Sequence, residues 1–102
     1  MNPPQYKHIE IPNKFKLLGE TITVKWSDDI LKLRVYGTAQ YEINEIIIQS
    51  KDMPEDKKEH TFYHELIHHI LTAMGENKLN NDEKFVDMFS GLLHQAIKTA
   101  EY

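Results

Sequence analysis

The chain contains no cysteine. That excludes a disulfide framework and a thiolate metal site, leaving histidine, glutamate and aspartate to hold any metal. Positive charge is also short: 12 Lys and Arg stand against 16 Asp and Glu, giving a formal net charge of −4 and a pI near 5.8. This balance provides no basic footprint for DNA, RNA or an anionic membrane, so neither nucleic acid nor a membrane is expected as a partner. The N-terminal region has no apolar run of secretory type and no later segment is long and apolar enough to span a bilayer, so a cytoplasmic location is expected. Repeats, low-complexity tracts and linkers are absent as well. A chain of 102 residues builds one core, so residues 1–102 are expected to form a single domain.

What is present divides into a strand-rich first half and a helical second half. Met1 to Lys7, with Pro3 and Pro4, reads as an irregular arm. Phe15 to Leu18 and Thr21 to Trp26 are strand-like, with Gly19 and Glu20 between them as a hairpin turn. Ile22, Val24 and Trp26 alternate with polar residues and mark a buried face. An extended stretch from Leu33 to Tyr41 and a strand at Ile46, Ile47 and Ile48 follow, joined by a turn through Asn44. The isoleucine run suits a strand covered on both faces, and the mixed Thr38, Ala39, Gln40, Tyr41 segment suits its exposed neighbour at a free edge. Trp26 and the isoleucines are assigned to the core.

Pro54, Glu55 and Asp56 suit the first turn of a helix running to Met74, and Gly75 suits its C-terminal cap. Phe62, Tyr63, Leu66, Ile67, Ile70, Leu71, Ala73 and Met74 fill a continuous apolar arc. The Asn77 to Asn81 stretch reads as a polar loop, and Asn80 or Asn81 as the cap of a second helix reaching Ala100. That helix carries Phe85, Val86, Met88, Phe89, Leu92, Leu93, Ala96 and Ile97 as its stripe. The fold class expected is α+β, a small and mainly antiparallel sheet of three or four strands packed on two long helices.

At the margin of the first helix's apolar arc, His64, Glu65, Leu66, Ile67 and His68 form an HExxH pattern. Histidines four apart project from one helix face as the first two ligands of a zinc ion, and the glutamate between them can take a proton from a water acidified by the cation. A catalytic zinc commonly has three protein ligands. Glu83 is the choice for the third, because it opens the second helix at its core-facing edge after a loop that permits antiparallel return. Asp87, one turn on, is placed to receive the other ring N–H of a zinc-bound histidine. Plainer uses exist for both: Glu83 as a dipole-favoured or capping-box residue with Asn80, and Asp87 as a solvated charge. His60 reads as a helix-surface residue, because Thr61 leaves the His60/His64 pair without a base. His69 points well away from His64, and His8 is incidental. His94 shares the angular face of Glu83 but lies roughly 16 Å along the helix. Gly91 marks either a close helix approach or a tolerated glycine.

HELIH followed by a helix carrying Glu83 and Asp87 as ExxxD resembles the gluzincin metallopeptidases. The compact form is similar to the minigluzincins and to the small ImmA/IrrE-like metallopeptidases of phage and mobile-element genomes. The resemblance covers the chain from about Thr38 onward. It implies a zincin-like fold, one zinc ion per chain on His64, His68 and Glu83, Glu65 as general base and proton donor, and an edge strand (Thr38, Ala39, Gln40, Tyr41) that binds extended substrate. The tyrosine or histidine that gluzincins often add to support the tetrahedral intermediate has no matched position. The implied activity is zinc-dependent endopeptidase cleavage of a cytosolic protein or peptide. The alternative is a catalytically silent or self-inhibited zinc-binding interaction module, with His8, Glu10 or Glu101 as a terminal ligand closing the site.

Overall fold

A computed structural model describes residues 9–102; His8 and the arm before it lie outside the described residues. Strand β1 (Lys14–Leu17) turns into β2 (Glu20–Ser27), a short 3-10 turn follows at Ile30–Leu33, and β3 (Gly37–Gln40) leads through a second 3-10 turn at Tyr41–Ile43 into β4 (Glu45–Gln49). Three helices complete the chain: α1 (Glu55–Met74), a single turn α2 (Asn77–Asn80) and α3 (Glu83–Thr99). Strands first and helices afterwards make this an α+β arrangement. The sheet has four strands in the order β1-β2-β4-β3. Its pairing is mainly antiparallel, through β1/β2 and β3/β4, but β2 and β4 are parallel, which makes the sheet mixed. After β2 the chain crosses to the far edge, lays down β3 there, and returns β4 into the gap. Hydrophobic periodicity carries no strand direction, so this inversion has no signal in the pattern.

The β1–β2 turn is Leu18–Gly19, one residue earlier than expected, with φ of 49° and 80°. Positive φ at both positions is the requirement of a type I′ hairpin, which glycine meets freely and leucine does not. The extended stretch expected from Leu33 to Tyr41 reduces to four paired residues, because Leu33 closes one 3-10 turn and Tyr41 opens the next.

Ile22, Val24, Ile46 and Ile48 line one face of the sheet and pack on Phe62 and Tyr63 of α1, with Ile9 added from the N-terminal segment. Ile46 and Ile48 are fully buried, while Ile47, on the other face, is only half-buried. The run is therefore covered on one side. Trp26 leaves the core as well, at 43 % exposure. It ends the buried face of β2 beside Lys58, whose ammonium lies 5.8 Å from its ring centroid, at the N-terminal end of α1 where helical cover runs out. On its opposite side α1 packs against α3 through Ile67, Leu71 and Val86. α1 is thus the middle layer, which explains why polar Glu59, Thr61, Glu65, His68 and His69 are buried along it.

The buried seam of α3 is narrower than its apolar stripe. Val86 and Ser90 are fully buried and Leu93 and Ile97 pack inward, whereas Met88, Phe89 and Leu92 stay exposed, as does Met74 at the end of α1. α1 covers one seam of α3, and the outer part of the stripe stays exposed. Gly75, at φ 73°, caps α1 as expected: its amide bonds the Thr72 carbonyl at 3.1 Å, and the Glu76 amide bonds that of Leu71 at 2.9 Å. No helix among the described residues is long and apolar enough to cross a membrane.

Candidate metal centre

The helical repeat of α1 places His64 and His68 one turn apart on the side facing the start of α3. There Asp82, not Asn80 or Asn81, caps the helix, its carboxylate accepting the Phe85 amide at 3.1 Å. Glu83 is consequently the first helical residue, fixed in direction by that cap. Its Oε2 lies 3.1 Å from His64 Nε2 and its Oε1 3.0 Å from His68 Nε2. One ligand atom from each of the three residues falls within a mutual spread of 4.8 Å, the one such cluster among the described residues.

This donor set fits zinc. At bond lengths of about 2.0–2.1 Å, tetrahedral ligand atoms stand about 3.3 Å apart, close to the separations found here. Both histidines turn Nε2 toward Glu83. His64 Nδ1 lies 3.4 Å from Asp87 Oδ1, which puts Asp87 beside the ring nitrogen that faces away from Glu83. His68 Nδ1 donates to Asn80 Oδ1 at 2.7 Å. The Asn80 amide is oriented by its own NH2, which donates to Thr72 Oγ1 at 2.9 Å and reaches the Tyr41 hydroxyl at 3.4 Å. A metal-binding imidazole needs Nε2 unprotonated and its other nitrogen on an acceptor, and Asn80 supplies that acceptor to His68.

Asn80, read from the sequence as a helix cap, instead contacts His68 of the candidate cluster. The segment around it is the one-turn helix α2, not a loop, and this turn aims the side chain at His68 instead of at the end of α3. Its spacing three residues before Glu83 was visible but equally suited a capping box.

Glu65 is 7 % exposed and lies against β3. Burial pushes its carboxyl above the ordinary value of 4.5, the neighbouring His64 and His68 pull it down, and Glu83 pushes it up, with a net rise. The contact with β3 is made possible by Gly37. A Cβ at that position would stand 2.5 Å from Thr61 Cγ2, 3.1 Å from the Ile47 carbonyl oxygen and 3.3 Å from Glu65 Cγ. Glycine is therefore required where the edge strand crosses the HExxH helix. Thr38, Ala39 and Gln40 continue along the rim, but Tyr41 belongs to the following turn and packs its ring on His69, 5.2 Å between centroids. Two cavities open on either side of His64 and Glu65. One, of about 370 Å³, lies toward Tyr36 and Lys57; the other, of about 670 Å³, runs along β3 to Asn80 and Glu83.

The remaining histidines stand apart from the cluster. His69 is buried, with Nε2 donating to the Glu45 carbonyl at 2.9 Å, and burial lowers its pKa despite that bond. His94 bonds Glu59 at 2.8 Å, far from Glu83 as its helical spacing implied. His60 is half-buried between the helices and not a plain surface residue; its Nε2 is 3.4 Å from Ser90 Oγ and 3.7 Å from Asp87 Oδ1. Glu10 and Glu101 are exposed and outside the donor cluster. A Cβ on Gly91 would sit 3.5 Å from His60 Nε2, an ordinary contact, so this glycine is tolerated and not required. No protein-family model, curated protein or solved structure matches the chain.

Proposed function

We propose that the protein is a zinc-dependent endopeptidase of minimal gluzincin type, with a zincin-like fold, acting on an extended segment of a cytosolic protein or peptide. The observation that carries this reading is the convergence of His64 Nε2, His68 Nε2 and a Glu83 carboxylate beside the buried Glu65, under a sheet edge with no strand partner among the described residues. Zinc held by these three residues would supply Lewis acidity, polarising a scissile carbonyl and acidifying water. Glu65 takes the proton of the attacking water and returns it to the amide nitrogen as the C–N bond breaks. Asp87 and Asn80 hold the two imidazoles in the tautomer that leaves Nε2 available.

The outer edge of β3 has no strand partner among the described residues. A peptide can therefore add to it by main-chain hydrogen bonds, and in antiparallel register its chain runs from the Gln40 end toward the Gly37 end. Glu65, packed on Gly37, then stands beside the peptide main chain.

The test is hydrolysis of a casein-derived peptide mixture, followed by mass spectrometry, at equal zinc occupancy. Wild-type protein should cleave and a chelator should stop it, while Glu65→Gln should keep one zinc per chain and lose about 10²–10⁴-fold in rate. Equal cleavage by both proteins would remove Glu65 from the mechanism.

A further inference from the structure

The smaller cavity lies at the Gly37 end of β3, where an antiparallel peptide carries the residues that follow its scissile bond. Its charged lining is Lys57, His60, His64, Glu65 and Asp87. Four of these are turned toward one another: Asp87 Oδ1 lies 3.4 Å from His64 Nδ1 and 3.7 Å from His60 Nε2, and Glu65 lies one residue from His64 on α1. Lys57 differs. Its ammonium sits 4.0 Å from the Tyr36 ring centroid, held over the ring face with no carboxylate partner among the described residues. The neighbouring Lys58 does have one, Glu55 at 3.2 Å. A cation fixed on an aromatic ring at the mouth of a cavity, with its hydrogen-bonding capacity unspent on protein acids, is suited to a carboxylate ligand.

We propose that this cavity selects peptides carrying a carboxylate side chain on the C-terminal side of the scissile bond, with Lys57 as the specificity-determining residue. The inference rests on the endopeptidase reading of the same site. It names a substrate class for it: extended segments with Asp or Glu just after the cleaved bond. Tyr36 positions the ammonium, and Asp87 is directed at His64 and His60 instead of at Lys57.

The test measures binding, so that it does not depend on turnover. Zinc-loaded Glu65→Gln protein is titrated with otherwise identical octapeptides bearing Asp, Asn, Leu or Lys at each of the two positions after the central bond. At one of these positions Asp should bind about two- to fivefold more tightly than Asn, as expected for an ion pair made by an exposed lysine. Adding Lys57→Ala should abolish that preference and Lys57→Glu should shift it toward Lys, whereas Lys58→Ala should leave it intact. Tighter binding of Leu than of Asp, or a preference that survives Lys57→Ala, would overturn the proposal. The endopeptidase reading fails separately: if wild-type protein cleaves none of the peptides while the Asp preference holds, the cavity assignment stands alone. Cleavage without charge preference removes the cavity assignment only, and no binding by any peptide counts against both.

Discussion

Replacing Gly37 by alanine should damage stability and catalysis together, because one atom is added where three elements meet. The new Cβ would lie 2.5 Å from Thr61 Cγ2 and 3.1 Å from the Ile47 carbonyl oxygen, more than an ångström short of an ordinary carbon contact in the first case. Thr61 is buried on α1 and the Ile47 oxygen is backbone of β4, so neither is the free end of a flexible chain. β3 must therefore move outward. Overpacking of this size costs about 1–3 kcal/mol, and displacing the substrate-bearing edge from Glu65 by about 1 Å should lower peptide hydrolysis on the order of 10²-fold. Removing the clashing methyl with Thr61→Ser in the same chain relieves the closest contact. A double-mutant cycle by urea denaturation should then show Gly37→Ala and Thr61→Ser coupled favourably by about 1 kcal/mol, with part of the activity restored. If Gly37→Ala unfolds within about 0.5 kcal/mol of wild type and the two changes are additive, the close crossing of β3 over α1 is wrong.

Four further outcomes follow from the same contacts. Asn80→Ala should weaken zinc binding about 10–100-fold in a competitive chelator titration, because His68 loses the acceptor that fixes its ring; unchanged affinity would dissociate Asn80 from the site. Leu18→Asn should raise stability by about 1 kcal/mol, since an 84 % exposed leucine is held at φ 49° in a turn that favours asparagine. Gly91→Ala should raise it by about 0.5–1 kcal/mol through helix propensity alone, and a loss in a melting experiment would show that the glycine is needed. Glu59 is fully buried and accepts from His94 and Lys98 at 2.8 Å each, with the Ile9 amide at 3.3 Å from its other oxygen. Burial pushes its carboxyl up, but these partners pull it further down, so the folded value lies below the ordinary 4.5. A depressed acid contributes its full stabilisation above 4.5 and loses it as the pH falls through the folded value. Glu59→Gln should therefore cost about 3 kcal/mol at neutral pH and flatten the acid limb of the stability curve; an unchanged acid limb would assign the loss to other groups.

The parts of this protein that obey a helical period were readable from the chain. HELIH, the α1 boundaries and the Gly75 cap follow from periodicity and end signals, and Glu83 and Asp87 follow from where a returning helix must begin. What escaped depends on tertiary cover and chain direction. Trp26 continues the alternation of Ile22 and Val24, yet α1 begins too late to bury it. β2 and β4 pair in parallel although their patterns fit either sense. Asn80 looks like loop because one helical turn has no period to detect, and its use as the His68 acceptor depends on Thr72 and Tyr41 orienting its amide. Gly37 carries no local turn signal; its necessity comes from Thr61, on a helix twenty-four residues later in the chain.

A crystal structure of the zinc-loaded protein decides whether His64, His68 and Glu83 form an open three-ligand site facing Glu65. One ion should sit on His64 Nε2, His68 Nε2 and Glu83, with its fourth position turned toward Glu65 and filled by solvent. An ion bound elsewhere, or a fourth protein side chain closing the tetrahedron, would contradict it and favour a structural zinc in a binding module.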